Sequence, residues 1–254
     1  TTPQYNGNIS SQQWGTNFAK SFKYTYDNLN RLTEGTSVSP NMSESGITYD
    51  KMGNIKTLNR DGSVINYNYS GGGNRLSSVS GAGLNTQPYQ YDMNGNANTD
   101  GSKINIQVTY NILNLPQTVS GGPNVYYKYD ASGKMLSMQD GSVLTEYIYG
   151  IQYGNYNNTY GLNFIKTDEG RAVRQSDNTY RYQYDLKDHL GNVRLTFDKD
   201  PSNGTARRIQ EDNYYAFGMR QSVSPASLTN NYLYNGKDIQ DALGQYDYGA
   251  RFYD

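Results

Sequence analysis

The only histidine, His189, lies in K-D-H-L-G-N with Asp188 directly before it, and a histidine oriented by a carboxylate is a common general base. A base of this kind needs a nucleophile to activate. The chain has no cysteine and no G-x-S-x-G elbow, so the turn-like setting of His189 favours a structural role. D-M-N-G-N-A-N, from Asp92 to Asn98, has the oxygen-rich make-up of a calcium loop, but Gly95 stands fourth rather than sixth and no glutamate follows at the twelfth position. S-G-G-G-N, from Ser70 to Asn74, has the glycines of a phosphate cradle without its lysine or following helix, and reads as a hairpin turn. These patterns assign no catalytic, cofactor-binding or metal-binding residue.

The elements that carry these motifs are read from composition and periodicity. Tyrosine and glycine each supply 27 of 254 residues, charged residues make up 18%, and the net charge is -1. A nucleic acid or an anionic membrane requires a basic footprint, and none is visible, so neither is expected as the main partner. A mean hydropathy of -0.86 would fit disorder, but disordered chains are poor in aromatics, and 13% aromatic residues point to strands built on tyrosine. The absence of cysteine excludes disulfides and Cys-containing zinc sites and is compatible with any redox compartment. No stretch is apolar and long enough to span a bilayer.

One pattern recurs almost from end to end: Tyr-x-Tyr followed by Asp, Asn or another turn residue. It appears as Y-T-Y-D at Tyr24 to Asp27, Y-N-Y-S at Tyr67 to Ser70, Y-Q-Y-D at Tyr89 to Asp92 and Y-K-Y-D at Tyr127 to Asp130, with later copies ending at Gly150, Asp185, Asn235 and Gly249. With the second tyrosine as marker, and single-tyrosine copies at Tyr49 and Tyr110, the steps from Tyr26 to Tyr149 are 23, 20, 22, 19, 19 and 20 residues. The residues after the marker alternate between Asn30-Arg31-Leu32, Asn74-Arg75-Leu76 and Asn114-Leu115 in odd units, and Gly53-Asn54-Ile55, Gly95-Asn96-Ala97 and Gly133-Lys134-Met135 in even ones.

Tyrosines at i and i+2 share a strand face, so rings of successive units can form stripes. The Asp or Asn after the marker can bond backbone two residues on, and the Asn or Gly further along tolerates positive φ. Leu32, Ile55, Leu76 and Leu136 then restart an extended run, so each unit is read as a β-hairpin. No window shows a clear helical period, and Q-S-V-S-P-A-S-L is short and interrupted by Pro225. The tyrosines are chiefly wall material, with a stacking platform for sugars or single strands as the alternative. The period breaks between Gly150 and Asn178, and Asp198 to Arg208 reads as a long polar hairpin loop; one sheet is expected to continue across both.

The repeated Y-x-Y-D-x-x-N-R-L-T and Y-D-x-x-G-N-I units resemble the YD repeats of the Rhs (rearrangement hotspot) family. D-H-L-G-N-V-R at Asp188 to Arg194, Y-Y-A-F-G-M at Tyr214 to Met219, Y-N-G-K-D at Tyr234 to Asp238 and Y-D-Y-G-A-R-F-Y-D at Tyr246 to Asp254 stand in the order of that family's repeat-associated core. Ala216 departs from a frequent Pro and Asp238 from a frequent Glu. The opening Y-N-G-N-I-S with Trp14 is similar to the repeat entry of versions from Bacteroidetes. On this resemblance, residues 1–150 are regular YD repeats and residues 151–254 the core region, continuous with them.

The resemblance implies an all-β fold of repeated hairpins in a long curved antiparallel sheet, a partial turn of a β-shell. It implies a structural role in a secreted or cell-surface bacterial protein that encapsulates or delivers a C-terminal toxin. Its partners would be the remainder of its own chain and the toxin domain, with secretion-machine proteins, surface proteins or glycans as further possibilities, and no cofactor is implied. The family's self-cleavage uses paired aspartates, which can share a proton. In the family that segment follows the Y-D-Y-G-A-R-F-Y-D motif, so it is expected beyond Asp254; the chain, which opens without an initiator Met and stops inside an apparent strand, is read as a fragment of a longer one. No enzymatic role is therefore assigned here, and Asp247 and Asp254 read as turn and strand aspartates. The N-x-S/T triplets at Asn8 and Asn203 carry little meaning in a bacterial protein. About ten hairpins, at roughly 4.8 Å per strand, give on the order of 100 Å of sheet. A wall around a folded guest of about 100 residues needs roughly 140 Å. The alternative is an adhesive scaffold that binds through tyrosine-rich faces or open edge strands.

Overall fold

A computed structural model of the chain describes residues 3–122, 124–156, 159–224, 230–240 and 243–253. Asp254 and the segment around Pro225 lie outside the described residues. Contacts divide the chain into two compact units, Thr1–Ile106 with Tyr215–Met219, and Gln107–Tyr214 with Arg220–Asp254.

The first unit holds a seven-stranded sheet: β1 (Ser11–Trp14), β2 (Lys20–Tyr26), β3 (Leu32–Ser37), β4 (Met42–Tyr49), β5 (Ile55–Arg60), β6 (Ser63–Tyr69) and β7 (Leu76–Gly81). Every strand pairs antiparallel with its sequence neighbours, as short connections dictate. The markers Tyr26, Tyr49 and Tyr69 are the last residues of β2, β4 and β6, and Leu32, Ile55 and Leu76 open the strands that come next. The ladder shifts register at each of these markers, so every such hairpin carries a bulge at the same place, the device that strengthens local twist. Next comes a stretch without long strands, in which marker Tyr91 makes an isolated bridge to Ala97.

The second unit holds a twelve-stranded sheet, again in sequence order. Its strands are β8 (Gln107–Tyr110), β9 (Pro116–Ser120), β10 (Val125–Tyr129), β11 (Met135–Asp140), β12 (Val143–Ile148), β13 (Ile151–Tyr156), β14 (Thr159–Lys166), β15 (Gly170–Arg174), β16 (Tyr180–Lys187), β17 (Val193–Lys199), β18 (Ala206–Tyr214) and β19 (Arg220–Ser224). A three-stranded sheet, β20 (Asp238–Gln240), β21 (Gln245–Asp247) and β22 (Phe252–Tyr253), completes it. The sheet runs through both breaks in the sequence period. The long step after Tyr149 accommodates the extra strands β13, β14 and β15, and Asp200 and Asn203 each cap the polar turn between β17 and β18 from their own side chains.

The chain is all-β, in long antiparallel sheets of consecutive hairpins. Among the described residues the only helical turns are two short 3-10 segments, Thr16–Phe18 and Tyr234–Gly236. Two markers differ from the sequence reading. Tyr149 does not end a strand: with Gly150 it forms the two-residue turn between β12 and β13, both at positive φ (48° and 86°), the geometry that matches strand twist. Asp185, after marker Tyr184, lies within β16, which continues to Lys187, and the turn role passes to Asp188.

Candidate functional site

The markers Tyr26, Tyr49, Tyr91, Tyr110 and Tyr129 lead into one turn geometry. In the turn after Tyr49, Asp50 Oδ1 accepts the amides of Met52 (2.8 Å) and Asn54 (2.9 Å), while Gly53 takes φ 88°. The same bonds recur around Asp27, Asp92, Asn111, Asp130 and Asp188. The alternation between units now has a cause. The third residue after the aspartate, Asn30 or Gly53, takes the left-handed conformation, and the fourth, Arg31 or Asn54, tethers the carboxylate's second oxygen at 2.7 or 2.8 Å. Ser70 heads a turn one residue longer, in which Gly71 and Gly72 take positive φ. Asp92 is engaged in the same way as Asp50, with Asn96 Nδ2 on its second oxygen at 2.9 Å.

Hydrogen bonds hold four of these carboxyls below the usual carboxylate range. The leading contributor is the Arg31 amide for Asp27, and the side chains of Asn54, Asn96 and Ser132 for Asp50, Asp92 and Asp130. Successive turns also touch one another. Arg31 Nη1 donates to the Asp50 carbonyl at 3.3 Å and its guanidinium lies 4.5 Å from the centre of the Tyr49 ring, and Asn54 Nδ2 donates to Asn74 Oδ1 at 3.0 Å.

The marker hydroxyls make a second series of contacts, which sequence alone leaves open. Tyr26 donates to the Ile9 carbonyl (2.9 Å), Tyr49 to Leu32 (2.6 Å), Tyr69 to Ile55 (3.0 Å) and Tyr91 to Leu76 (2.7 Å). From Tyr49 onward the acceptor is the first residue of the strand after the preceding marker, so each hairpin is tied to the one before it. Burial raises the pKa of these phenols, which keeps the hydroxyl a donor.

Tyr215 to Met219 pack within the first unit. Tyr215 joins Phe22 and Met42 in a buried cluster, and its hydroxyl donates to Asp61. The Phe217 amide donates to Glu44 Oε2 at 3.1 Å, and Arg60 Nη2 pairs with Glu44 Oε1 at 2.7 Å. Glu44 is fully buried, so its charge depends on these two partners.

The remaining core motifs converge within the second unit. The Asp188 turn places Asn192 so that its Oδ1 accepts the Asn235 amide at 2.8 Å, and the Val193 amide donates to the Leu233 carbonyl. Tyr234 lies 5.8, 5.9 and 6.1 Å, ring to ring, from Tyr214, Tyr246 and Tyr253. Tyr214 repeats the hydroxyl tie, donating to the Val193 carbonyl at 2.7 Å. Y-N-G-K-D, Y-D-Y-G-A-R-F-Y-D and the first tyrosine of Y-Y-A-F-G-M therefore build one aromatic cluster, to which D-H-L-G-N-V-R is joined by hydrogen bonds of Asn192 and Val193.

His189 is the exposed second position of the Asp188 turn, and no hydrogen bond or ion pair of its side chain occurs among the described residues. Asp247 ends β21 opposite Asp238 of β20; its Oδ1 accepts the Gly249 amide at 2.6 Å, and burial raises its carboxyl pKa. A polar network runs beneath β16, β17 and β18. Asp185 Oδ1 accepts from Thr196 Oγ1 at 2.7 Å and from Asn230 Nδ2 at 3.1 Å, the Asn230 backbone amide donates to Gln210 Oε1 at 2.8 Å, and Gln210 Nε2 donates to Asp212, the partner of Arg220. Asn230 carries no sequence signal, and Asp185 stands out in sequence only as a repeat aspartate.

An all-β chain of tied hairpins defines the class. No protein-family profile matches it. The chain is 26% identical over 246 residues to the tRNA3(Ser)-specific nuclease WapA of Bacillus spizizenii and 25% identical over 246 residues to the tRNA nuclease WapA of Bacillus subtilis. These matches cover 90% of this chain and only 10% of either relative. Among solved structures it is similar to the Photorhabdus luminescens Tc holotoxin pore (TM-score 0.52, 16% identity, 92% of this chain and 16% of that one). The crystal structure of TcdB2-TccC3-Cdc42 matches equally well (TM-score 0.52, 16% identity, 92% and 16% coverage). At that identity the likeness concerns the fold alone, and it agrees with the Rhs-like fold that the motif order implies.

Proposed function

We propose that this chain is a length of wall in an Rhs-type β-shell, part of a secreted or surface-displayed bacterial protein that carries a toxin domain elsewhere in its sequence. The observation that carries this reading is the hydroxyl tie, exemplified by Tyr49 to Leu32, repeated from hairpin to hairpin. A wall extends by adding like increments, and a tie that runs back to the previous hairpin, as at Tyr49, Tyr69 and Tyr91, lets one increment fix the next. The fold likeness to the Tc holotoxin pore supports the reading, while the nuclease activity in the curated relatives' names belongs to proteins of which this chain spans 10%. The chain itself is wall and performs no catalytic step. No helix among the described residues is long and apolar enough to cross a membrane. The test is to express the parent gene past Asp254 and record intact mass under denaturing conditions. Two masses summing to the whole, with the break beyond the core, support a self-processing toxin carrier; a single mass removes self-processing and favours a scaffold.

A second reading rests on β16. Tyr182 and Tyr184 are 56% and 41% exposed and stack at 6.4 Å, with Phe197 continuing the stack at 5.5 Å. An exposed aromatic stack of this kind suits the apolar face of a sugar. Binding on a glycan array that is lost in Tyr182→Ala would support adhesion.

A further inference from the structure

A small cavity in the second unit is lined by Phe164 and Lys166 of β14, Arg171 of β15, Asp185 and Lys187 of β16, and Tyr232, among others. Lys166 and Arg171 are direct cross-strand partners. Like charges in that position repel, and no ladder requirement calls for them. Aromatic faces hold both cations in place: the Lys166 ammonium lies 4.6 Å from the centre of the Tyr232 ring, and the Arg171 guanidinium 5.3 Å from that of Phe164. Arg171 is only 6% exposed and its Nε donates to Gln183 Oε1 at 2.8 Å. The Lys166 backbone amide donates to the Gly150 carbonyl, but neither the Lys166 nor the Lys187 side chain forms a hydrogen bond or ion pair among the described residues, so both ammonium groups keep donors to offer.

Cationic side chains outnumber carboxyls along the cavity lining. Three cationic side chains face one carboxyl, and Asp185 turns its Oδ1 to Thr196 and Asn230. Burial draws the Arg171 pKa down to about 10 and raises that of Asp185. Lys166 retains exposed surface, yet surrounding protein lowers its pKa, with Lys187 and Lys237 adding to the effect and Asp238 and Asp185 opposing it. An anion in the cavity would favour the charged forms of Lys166 and Arg171 and would hold the neighbouring Asp185 carboxyl closer to its neutral form.

Size narrows the ligand. The cavity measures about 30 Å³. A single water needs roughly 10–15 Å³ of such space, so the cavity takes on the order of two or three heavy atoms. That fits a carboxylate and is too small for a sugar or nucleotide.

We propose that this cavity is a carboxylate-binding site, formed by Lys166, Lys187 and Arg171, that accepts either an Asp or Glu side chain of a polypeptide or a free small carboxylate. The site is independent of the wall reading and stands if that reading fails.

The test is a titration of the isotopically labelled chain by NMR, following the Gly170 and Arg171 amides. The probes are acetate, the blocked tripeptide Gly-Asp-Gly, and Gly-Asn-Gly as neutral control. Saturable shifts with acetate alone assign the site to free carboxylates; saturation with the Asp peptide, with or without acetate, assigns it to side chains. Lys166→Gln and Lys187→Gln alter exposed residues and keep the rest of the spectrum, and each is expected to weaken binding about tenfold, the loss of one charge-assisted hydrogen bond. Raised salt weakens the wild type as well. Shifts that never saturate, equal response to the Asn peptide, or unchanged affinity in both variants would overturn the proposal.

Discussion

Tyr49 donates its hydroxyl to the carbonyl of Leu32 at 2.6 Å, so the last residue of β4 is bound to the first residue of β3. The ring also forms the surface on which Arg31 rests, so one side chain serves two neighbouring hairpins. Tyr49→Phe keeps the ring and removes the tie. Its expected cost is about 1 kcal/mol, read from the denaturation midpoint, with faster amide exchange concentrated in β3 and β4. No change in midpoint or exchange would mean that the tie contributes nothing.

The turn carboxylates should respond to acid. Asp50 and Asp92 have pKa values lowered chiefly by the side chains of Asn54 and Asn96, so the folded state binds their protons less tightly than the unfolded chain. The stabilisation is present above the unfolded value, about 3.9, and is lost as pH falls through the lower folded value. Carboxyl NMR titration should give midpoints below about 3.9 for both. The hairpin headed by Asn111, which has the same geometry and no charge, should be indifferent to pH over that range. Midpoints at or above the unfolded value would contradict the geometry.

Gly35 is required by space rather than by backbone conformation. A Cβ there would stand 2.9 Å from Ala216 Cβ and 3.3 Å from the Tyr24 ring, both within the first unit. Gly35→Ala is expected to cost about 1–3 kcal/mol, the usual penalty of overpacking. Ala216→Gly in the same chain should recover part of it, and the double-mutant cycle measures how much. Additive effects would show that the two positions do not meet.

Glu44 carries a buried charge held by Arg60 and the Phe217 amide. Arg60→Met strands that charge, with an expected cost of about 3–5 kcal/mol in urea denaturation. Glu44→Gln combined with Arg60→Met should be milder than Arg60→Met alone. The reverse order would mean that the pair is not the partner that matters.

Much of this fold is legible locally. Asp27, Asp50 and Asp130 announce their turns because an aspartate at the end of a tyrosine strand needs only its next four residues to complete the geometry. The alternation of Arg31 with Asn54 is visible as a pattern, but its cause emerges only once each is seen to tether the same carboxylate oxygen. The hydroxyl tie is not legible, because the acceptor is a backbone carbonyl that any residue would supply. Asp185 looks in sequence like another turn aspartate, yet strand β16 runs on past it and carries it into the sheet and onto Thr196. The pairing of Lys166 with Arg171 arises from the register of β14 on β15, and their separation in sequence suggests no site.

The central claim is that these hairpins are wall around a guest. Cryo-electron microscopy of the longer gene product that contains this chain tests it most directly. The expected result is that the seven- and twelve-stranded sheets are both wall, each with one face bordering enclosed density of another part of the same polypeptide. A map in which both faces of these sheets meet solvent, with no enclosed density, would contradict it.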